Sequence, residues 1–148
     1  MKIVVGQGSC GIAAGANKVY TALENELNAS GVNAELTITG CIGTCYLEPI
    51  VDVIDDEGNK TTYVKVTPEM ASEIIEKHVK NGEILTDYII SDEDRNAIVS
   101  QKRIALRNCG IINPESIDEY IANGGYKGLE RCLKELSPEE IIEEVKIS

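Results

Sequence analysis

Two cysteines four positions apart form the most chemically suggestive pair in this 148-residue chain. Cys41 and Cys45 lie in the stretch GCIGTCYLEP (residues 40–49), between two segments with the composition of strands. A loop between strands holds thiols on a rigid frame and leaves them reachable. The glycines of this loop, Gly40 and Gly43, allow backbone conformations in which N–H groups point at sulfur. The spacing predicts a metal–sulfur site or a redox dithiol.

A third cysteine, Cys10, follows the first predicted strand in the glycine-rich turn VGQGSCG (residues 5–11). Loops that follow two neighbouring parallel strands lie at the same end of a sheet, so we expect the thiols of Cys10, Cys41 and Cys45 to converge. Five cysteines is an odd number, and such spacing in a cytosolic chain favours metal binding or redox chemistry over structural disulfides. Cys109 and Cys132 are interpreted as structural.

Two other kinds of site are not supported by the residues. The single histidine, His78, falls on the apolar stripe of a predicted helix, which indicates a packed side chain rather than a ligand or a catalytic base. Gly6-x-Gly8-x-x-Gly11 formally matches the dinucleotide fingerprint, but no acidic residue ends the second strand and the strands are too few for a Rossmann sheet. We therefore assign no catalytic residue and no nucleotide-binding residue.

The charge balance limits the partners. The net charge of −11 at pH 7 disfavours nucleic acid and anionic membranes, because their phosphates would be repelled. No apolar run approaches the ~18 residues of a membrane span, and the N-terminus does not resemble a secretory signal. These observations predict a cytoplasmic protein with no membrane span.

Hydrophobic periodicity predicts an α/β fold with the order β-α-β-β-β-α over residues 1–82. The predicted strands cover residues 1–5, 34–39, 50–54 and 61–66, and the predicted helices cover residues 12–28 and 67–80. A right-handed crossover makes the first β-α-β unit parallel, and the last two strands form an antiparallel hairpin. The arrangement is thioredoxin-like.

The rest of the chain is predicted to be a linker, residues 83–100, followed by a short mainly helical extension, residues 101–148. The extension contains an extended segment at residues 103–107 and three helices, of which one starts at Asn113-Pro114-Glu115 and another at the capping box that begins with Ser137. Helices of about ten residues depend on tertiary packing. We expect them to dock on another domain or subunit.

Three stretches together resemble one family: GSCGIAAGA (residues 8–16), GCIGTCYLEP (residues 40–49) and QKRIALRNCG (residues 101–110). They are similar to the start of the NADH-binding flavoprotein subunit of NAD(P)-dependent hydrogenases and electron-bifurcating enzymes, which is related to a subunit of NADH dehydrogenase. Residues 1–82 resemble its thioredoxin-like [2Fe-2S] ferredoxin domain. Residues 101–148 resemble the helical lead-in to its flavin domain, and the segment that would bind flavin is expected after Ser148.

The resemblance implies an electron-transfer module of a multisubunit NAD(P)H-dependent oxidoreductase, with a [2Fe-2S] cluster held by Cys10, Cys41 and Cys45. It implies other subunits or domains of that complex, and ferredoxin, as partners. FMN and NAD would be bound only by the longer family members, so this chain would not contain a complete active site. Absorbance in the visible range after anaerobic purification is the simplest test.

The chain departs from the family pattern in the first loop, where two cysteines are expected. Only Cys10 is present, and Val5 occupies the other position. A [2Fe-2S] cluster needs four ligands. The fourth is Ser9, a partner residue or solvent in a labile site, or else the cluster has been lost. The alternatives to electron transfer are a cluster-free thioredoxin-like domain for subunit assembly and a dithiol redox protein.

Overall fold

The computed structural model describes all 148 residues, which form two compact units, Met1–Pro114 and Glu115–Ser148. The strands all belong to the first unit and are β1 (Lys2–Gly6), β2 (Glu35–Thr39), β3 (Val51–Ile54) and β4 (Lys60–Tyr63). Its helices are α1 (Ser9–Ala14), α2 (Ala16–Ser30), α3 (Met70–Glu73), which continues as a π-helical stretch (Ile74–Lys80), and α4 (Asp92–Val99). Short 3₁₀ turns occur at Cys45–Leu47 and Thr86–Tyr88.

The four strands form one sheet in the order β2-β1-β3-β4. Strands β1 and β2 are parallel, and Gly6 at the end of β1 pairs with Thr39 at the end of β2. Strand β3 is antiparallel to both β1 and β4. The predicted β-α-β-β-β-α order and α/β class are therefore confirmed.

The main core lies between one face of the sheet and helices α2 and α3 with its π-helical continuation. Every second residue of β1 and β3 points into it, and the buried residues of α2 recur at the spacing of one helix face. Each fully buried Val, Leu or Ile side chain contributes about 1.5–3 kcal/mol. The core residues from these elements are Ile3, Val5, Val51, Val53, Ala16, Val19, Leu23, Leu27, Ala71, Ile74, Ile75 and Val79.

The first predicted helix is divided in two, which corrects the expectation of one helix over residues 12–28. Gly15 lies in the left-handed region, with φ of +105°, and ends α1 while starting α2. Only glycine adopts this conformation without strain. The break separates α1, which contains Cys10, from α2, which packs in the core.

Residues 88–90, in the predicted linker, lie beside strand β4. The Val64 amide donates to the Tyr88 carbonyl (3.0 Å), and the Ile90 amide donates to the Thr62 carbonyl (2.9 Å). The predicted extended segment 103–107 is wrong, because these residues have no strand partner and form turns, with Ile104 and Leu106 exposed. The contacts divide the chain after Pro114. The expected division into a domain of residues 1–82, a linker of residues 83–100 and an extension of residues 101–148 stays a prediction.

The second unit contains α5 (Ile117–Ala122), α6 (Lys127–Glu135) and α7 (Pro138–Ile147). The predicted capping box that begins with Ser137 is confirmed. Arg131 binds Glu144 through two hydrogen bonds of 2.8 and 2.5 Å. No side chain of this unit is fully buried. No helix of the chain has the length and apolar character needed to cross a membrane.

Candidate metal centre

The ends of β1 and β2 bring three thiols together. Cys10 lies in the first turn of α1, Cys41 follows β2 by two residues, and Cys45 begins a 3₁₀ turn. The Cys41 sulfur lies 3.3 Å from that of Cys10 and 3.5 Å from that of Cys45, and all three sulfurs lie within 4.8 Å of one another. The predicted convergence is confirmed, and its cause is the parallel register that aligns Gly6 with Thr39.

Backbone polarity distinguishes the thiols. Gly43, with φ of +95°, turns its amide toward Cys41 and donates to Sγ at 3.3 Å. This N–H group holds the pKa of Cys41 below its ordinary value, because it stabilises the thiolate. Burial and the neighbouring thiols of Cys41 and Cys45 raise the pKa of Cys10 to about 12. The thiolate is therefore favoured at Cys41 over Cys10.

A carboxylate that the sequence did not assign to the site lies beside Cys10. Glu48 is 8% exposed and precedes a cis peptide bond to Pro49. Its Oε2 accepts a hydrogen bond from the Ile50 amide (2.9 Å), and its Oε1 lies 3.9 Å from Cys10 Sγ. Burial raises the pKa of Glu48, and the Ile50 amide opposes that rise. The only sequence signal was that a carboxylate follows the cysteine loop.

Three glycines make room for this arrangement. A Cβ at Gly6 would lie 3.1 Å from Glu48 Oε2, and a Cβ at Gly11 would lie 2.3 Å from the Gly6 carbonyl oxygen and 3.1 Å from the same carboxylate oxygen. A Cβ at Gly8 would lie 2.7 Å from Cys41 Cβ. The Gly6-x-Gly8-x-x-Gly11 pattern thus has an explanation that involves no nucleotide, since it allows Glu48 and Cys41 to approach α1 closely.

The cysteine loop is also held from outside by residues that sequence reasoning placed in a separate linker and extension. The Arg103 guanidinium donates to the Ile42 carbonyl at 2.5 Å, and Thr39 Oγ1 donates to the Ile112 carbonyl at 3.1 Å. The Tyr46 hydroxyl donates to Asp94 of α4. The sequence feature that could have indicated these contacts was the stretch QKRIALRNCG (residues 101–110), because no simple fold requirement explains it.

The remaining candidates lie elsewhere. Ser9 is exposed, and Val5 is completely buried in the hydrophobic core. Cys109 and Cys132 do not belong to the thiol cluster. His78 is buried, and its Nδ1 shares a 2.8 Å hydrogen bond with the Tyr63 hydroxyl. The packed role predicted for His78 agrees with this contact.

Three thiols whose sulfurs lie within 4.8 Å of one another form a soft ligand set, which suits zinc, copper(I) or an iron–sulfur centre rather than magnesium or calcium. In the absence of metal, two sulfurs 3.5 Å apart can also act as a dithiol. Tyr46, which directly follows Cys45, is 64% exposed, so the site lies near the surface.

No family model matches the chain. Comparison with known proteins supports an iron–sulfur centre. The [2Fe-2S] ferredoxin of Aquifex aeolicus is 34% identical over 88 residues, which cover 57% of this chain and 76% of that protein. The [2Fe-2S] ferredoxin of Clostridium pasteurianum is 37% identical over 81 residues, which cover 53% and 76%.

A hydrogenase subunit and a solved structure are also similar to this chain. The NADP-reducing hydrogenase subunit HndC of Solidesulfovibrio fructosivorans is 56% identical over 48 residues, which cover 32% of this chain and only 10% of the subunit. The structure of a thioredoxin-like [2Fe-2S] ferredoxin from Aquifex aeolicus matches with a TM-score of 0.53 and 27% identity, over 61% of this chain and 89% of that one. The chain is more than 30% identical to two [2Fe-2S] ferredoxins and covers 76% of the length of each. Its four-stranded sheet and its three converging thiols agree with that similarity. The chain therefore belongs to the family of thioredoxin-like [2Fe-2S] ferredoxins.

Proposed function

We propose that this chain is an electron-transfer module that holds a [2Fe-2S] cluster with Cys10, Cys41 and Cys45. The observation that carries the proposal is the convergence of three thiols from two loops within 4.8 Å. A pair of cysteines in one loop would have been consistent with many roles. Cys10 and Cys41 lie 31 positions apart in the sequence, so their thiols meet only because the fold brings two loops together. Such a convergence of three thiols indicates a specific site.

The surrounding residues fit such a cluster. Thiolates are its usual ligands, and N–H groups directed at sulfur, together with solvent exposure, adjust its reduction potential. Gly43 supplies one such N–H to Cys41, and Arg103 holds the loop through the Ile42 carbonyl. When bound, the cluster accepts and donates one electron. The chain's contribution is to fix the thiols, to direct amide dipoles at them and to keep the site close to the surface.

The wider assignment is to a multisubunit NAD(P)H-dependent oxidoreductase of the hydrogenase or NADH dehydrogenase type. Its support is the 56% identity to part of a NADP-reducing hydrogenase subunit. We propose other subunits or domains of such a complex as partners, with ferredoxin as a further electron-exchange partner. FMN and NAD belong to longer relatives in this proposal, and we assign no residue of this chain to them.

The test is anaerobic reconstitution with iron and sulfide, followed by metal analysis and visible absorbance. The parent should hold about two irons and two sulfides per chain, which is the content of one [2Fe-2S] cluster. Replacing Cys10, Cys41 or Cys45 by Ala should reduce this content sharply. Cys109→Ala and Cys132→Ala are matched controls, because these two thiols lie outside the cluster of sulfurs. An iron content that is the same in all five variants would refute the proposal.

The contact between two sulfurs favours a second candidate, a redox dithiol formed by Cys41 and Cys45. Their sulfurs are 3.5 Å apart, and the pKa of Cys41 is lowered by the Gly43 amide, which increases the thiolate fraction that performs exchange. The two functions are separable by titration of free thiols after oxidation without iron. A dithiol protein should lose two thiols reversibly and regain them with dithiothreitol, and Cys45→Ala should abolish that change.

A further inference from the structure

A [2Fe-2S] cluster needs four ligands, and the chain supplies three thiols at the site. The sequence left Ser9, a partner residue or solvent as the fourth ligand, with Val5 at the position of the missing cysteine. Val5 is apolar and completely buried in the core, and Ser9, although it precedes Cys10, makes no hydrogen bond to any thiol of the site. Within this chain, a further candidate is found among the side chains that the fold places next to the thiols.

A carboxylate oxygen lies there. Glu48 is 8% exposed, and its Oε1 lies 3.9 Å from Cys10 Sγ. We propose that the Glu48 carboxylate is the fourth protein ligand of the metal centre, completing a set of three thiolates and one carboxylate. This inference rests on the proposed function, and it assigns a binding role to a residue from outside the cysteine pattern.

The distance agrees with shared coordination. A tetrahedral ion with a metal–sulfur bond of about 2.3 Å and a metal–oxygen bond of about 2.0–2.2 Å separates its sulfur and oxygen ligands by about 3.5 Å. The observed 3.9 Å between Oε1 and Cys10 Sγ is within a small side-chain movement of that value. The other oxygen, Oε2, is held by the Ile50 amide at 2.9 Å. The hydrogen bond to Oε2 thus orients the carboxylate so that Oε1 faces the thiol of Cys10.

Glu48 has hydrogen-bond partners for both oxygens but no cationic partner. Asp52 is the comparison within the same sheet: it is equally buried, but Lys60 binds it at 3.1 Å and the Thr62 hydroxyl donates to it at 2.5 Å. Glu48 contacts the Ile50 amide and Cys10, and no salt bridge neutralises it. An unpaired buried charge is costly, and coordination of a cation is one of the ways in which proteins compensate for it.

Space and charge complete the argument. Gly6 and Gly11 have no side chains, and a Cβ at either position would lie 3.1 Å from a carboxylate oxygen, so a cradle exists for this group. A carboxylate carries the same charge as the thiolate it replaces. The exposed Ser9 hydroxyl would have to lose a proton to supply that charge. Glu48 therefore preserves the charge of a four-thiolate site.

The experiment uses the full 148-residue chain reconstituted anaerobically with ⁵⁷Fe and sulfide, and examined in the oxidised state by Mössbauer spectroscopy. If Glu48 is a ligand, the parent shows two doublets of equal area with different isomer shifts, because one iron is bound to oxygen and is less covalent. Ser9→Ala retains both doublets, whereas Glu48→Gln alters the doublet of the oxygen-bound iron. Two identical iron sites in the parent, or an unchanged spectrum in Glu48→Gln, would overturn the inference.

Binding of Co²⁺ alone separates this inference from the proposed function. Replacing Glu48 by Gln should weaken Co²⁺ binding about 10-fold or more, since even residues outside the first coordination shell cost 10–100-fold in metal affinity. Glu48→Asp, which keeps the charge on a shorter side chain, should fall between the parent and Glu48→Gln. Asp52→Asn is the matched control for removing a buried carboxylate, and it should bind Co²⁺ as the parent does.

The combined outcomes are decisive. A parent that takes up no iron–sulfur cluster but loses Co²⁺ affinity in Glu48→Gln would refute the [2Fe-2S] proposal and retain Glu48 as a ligand. A parent that forms the cluster while Glu48→Gln matches Asp52→Asn in Co²⁺ affinity would retain the cluster and refute Glu48. Glu48→Asp provides a second variant if Glu48→Gln misfolds, and two identical iron sites in the parent would refute the inference without any variant.

Discussion

Replacing Gly11 by Ala tests whether close approach at α1 maintains the site. The new Cβ would lie 2.3 Å from the Gly6 carbonyl oxygen and 3.1 Å from Glu48 Oε2. The first of these atoms belongs to the backbone of β1, so no change of rotamer relieves the contact. Either the carbonyl of Gly6 or helix α1 must move, and Glu48 moves with them.

Two opposing terms set the magnitude. Alanine is favoured over glycine inside a helix by about 1 kcal/mol. Overpacking of a well-packed interior costs about 1–3 kcal/mol, and a clash with backbone lies toward the upper end of that range. We therefore expect Gly11→Ala to lower the free energy of unfolding by about 1–2 kcal/mol net, which for a chain of this size lowers Tm by about 2–8 °C. Metal affinity should fall as well, because the carboxylate cradle is displaced.

Thermal unfolding followed by circular dichroism, with a Co²⁺ titration, measures both effects. Ala13→Gly, at an exposed position of the same helix, measures the effect of helix propensity alone. It should lower the free energy of unfolding by about 1 kcal/mol and leave metal affinity unchanged. Gly40→Ala, beside Cys41, adds a Cβ with nothing within 4 Å and should be close to neutral. A Gly11→Ala chain as stable as the parent, with the same affinity for Co²⁺, would contradict the role given to this glycine.

Three further predictions follow from other contacts. Arg103→Ala removes the donor to the Ile42 carbonyl, so amides of residues 41–47 should exchange hydrogen faster, whereas Arg107→Ala in the same segment should leave their exchange unchanged. Burial lowers the pKa of His78, so the unfolded chain binds a proton at this residue more readily than the folded chain does. The contribution of His78 to stability is therefore complete above the unfolded pKa of about 6.5 and declines as pH falls below that value. His78→Gln should therefore lose less stability between pH 7 and pH 5 than the parent does, as measured by urea unfolding. Val5→Cys should not slow bleaching of the cluster by air, because this side chain lies in the core; a longer cluster lifetime would show that position 5 reaches the metal.

The fold could be predicted because its signals are local and periodic. β-Branched runs marked the strands, and helix α2 showed apolar residues on one face. The convergence of Cys10, Cys41 and Cys45 followed from topology alone, since parallel neighbouring strands end at the same side of a sheet. Neither inference required knowledge of side-chain packing.

The parts that were missed depend on contacts between distant positions. Gly15 divides a helix whose apolar periodicity continues across it, because a single backbone dihedral outweighs the pattern. Ile104 and Leu106 alternate as strand residues do, yet no neighbouring strand is available to pair with them. The periodicity of apolar residues indicates which face a strand or helix would bury. It does not show whether a neighbouring strand or helix is present for that face to pack against.

The glycines of the first loop show the same limit at the site itself. Gly6, Gly8 and Gly11 match a pattern that in other proteins admits a pyrophosphate. Here the space at Gly6 and Gly11 is taken by the Glu48 carboxylate, and the space at Gly8 is taken by Cys41. Absent side chains indicate only that some group approaches this turn closely. The second loop, which contains Cys41 and Glu48, determines which group it is, and so the chemistry of the site is read from that loop rather than from the glycines.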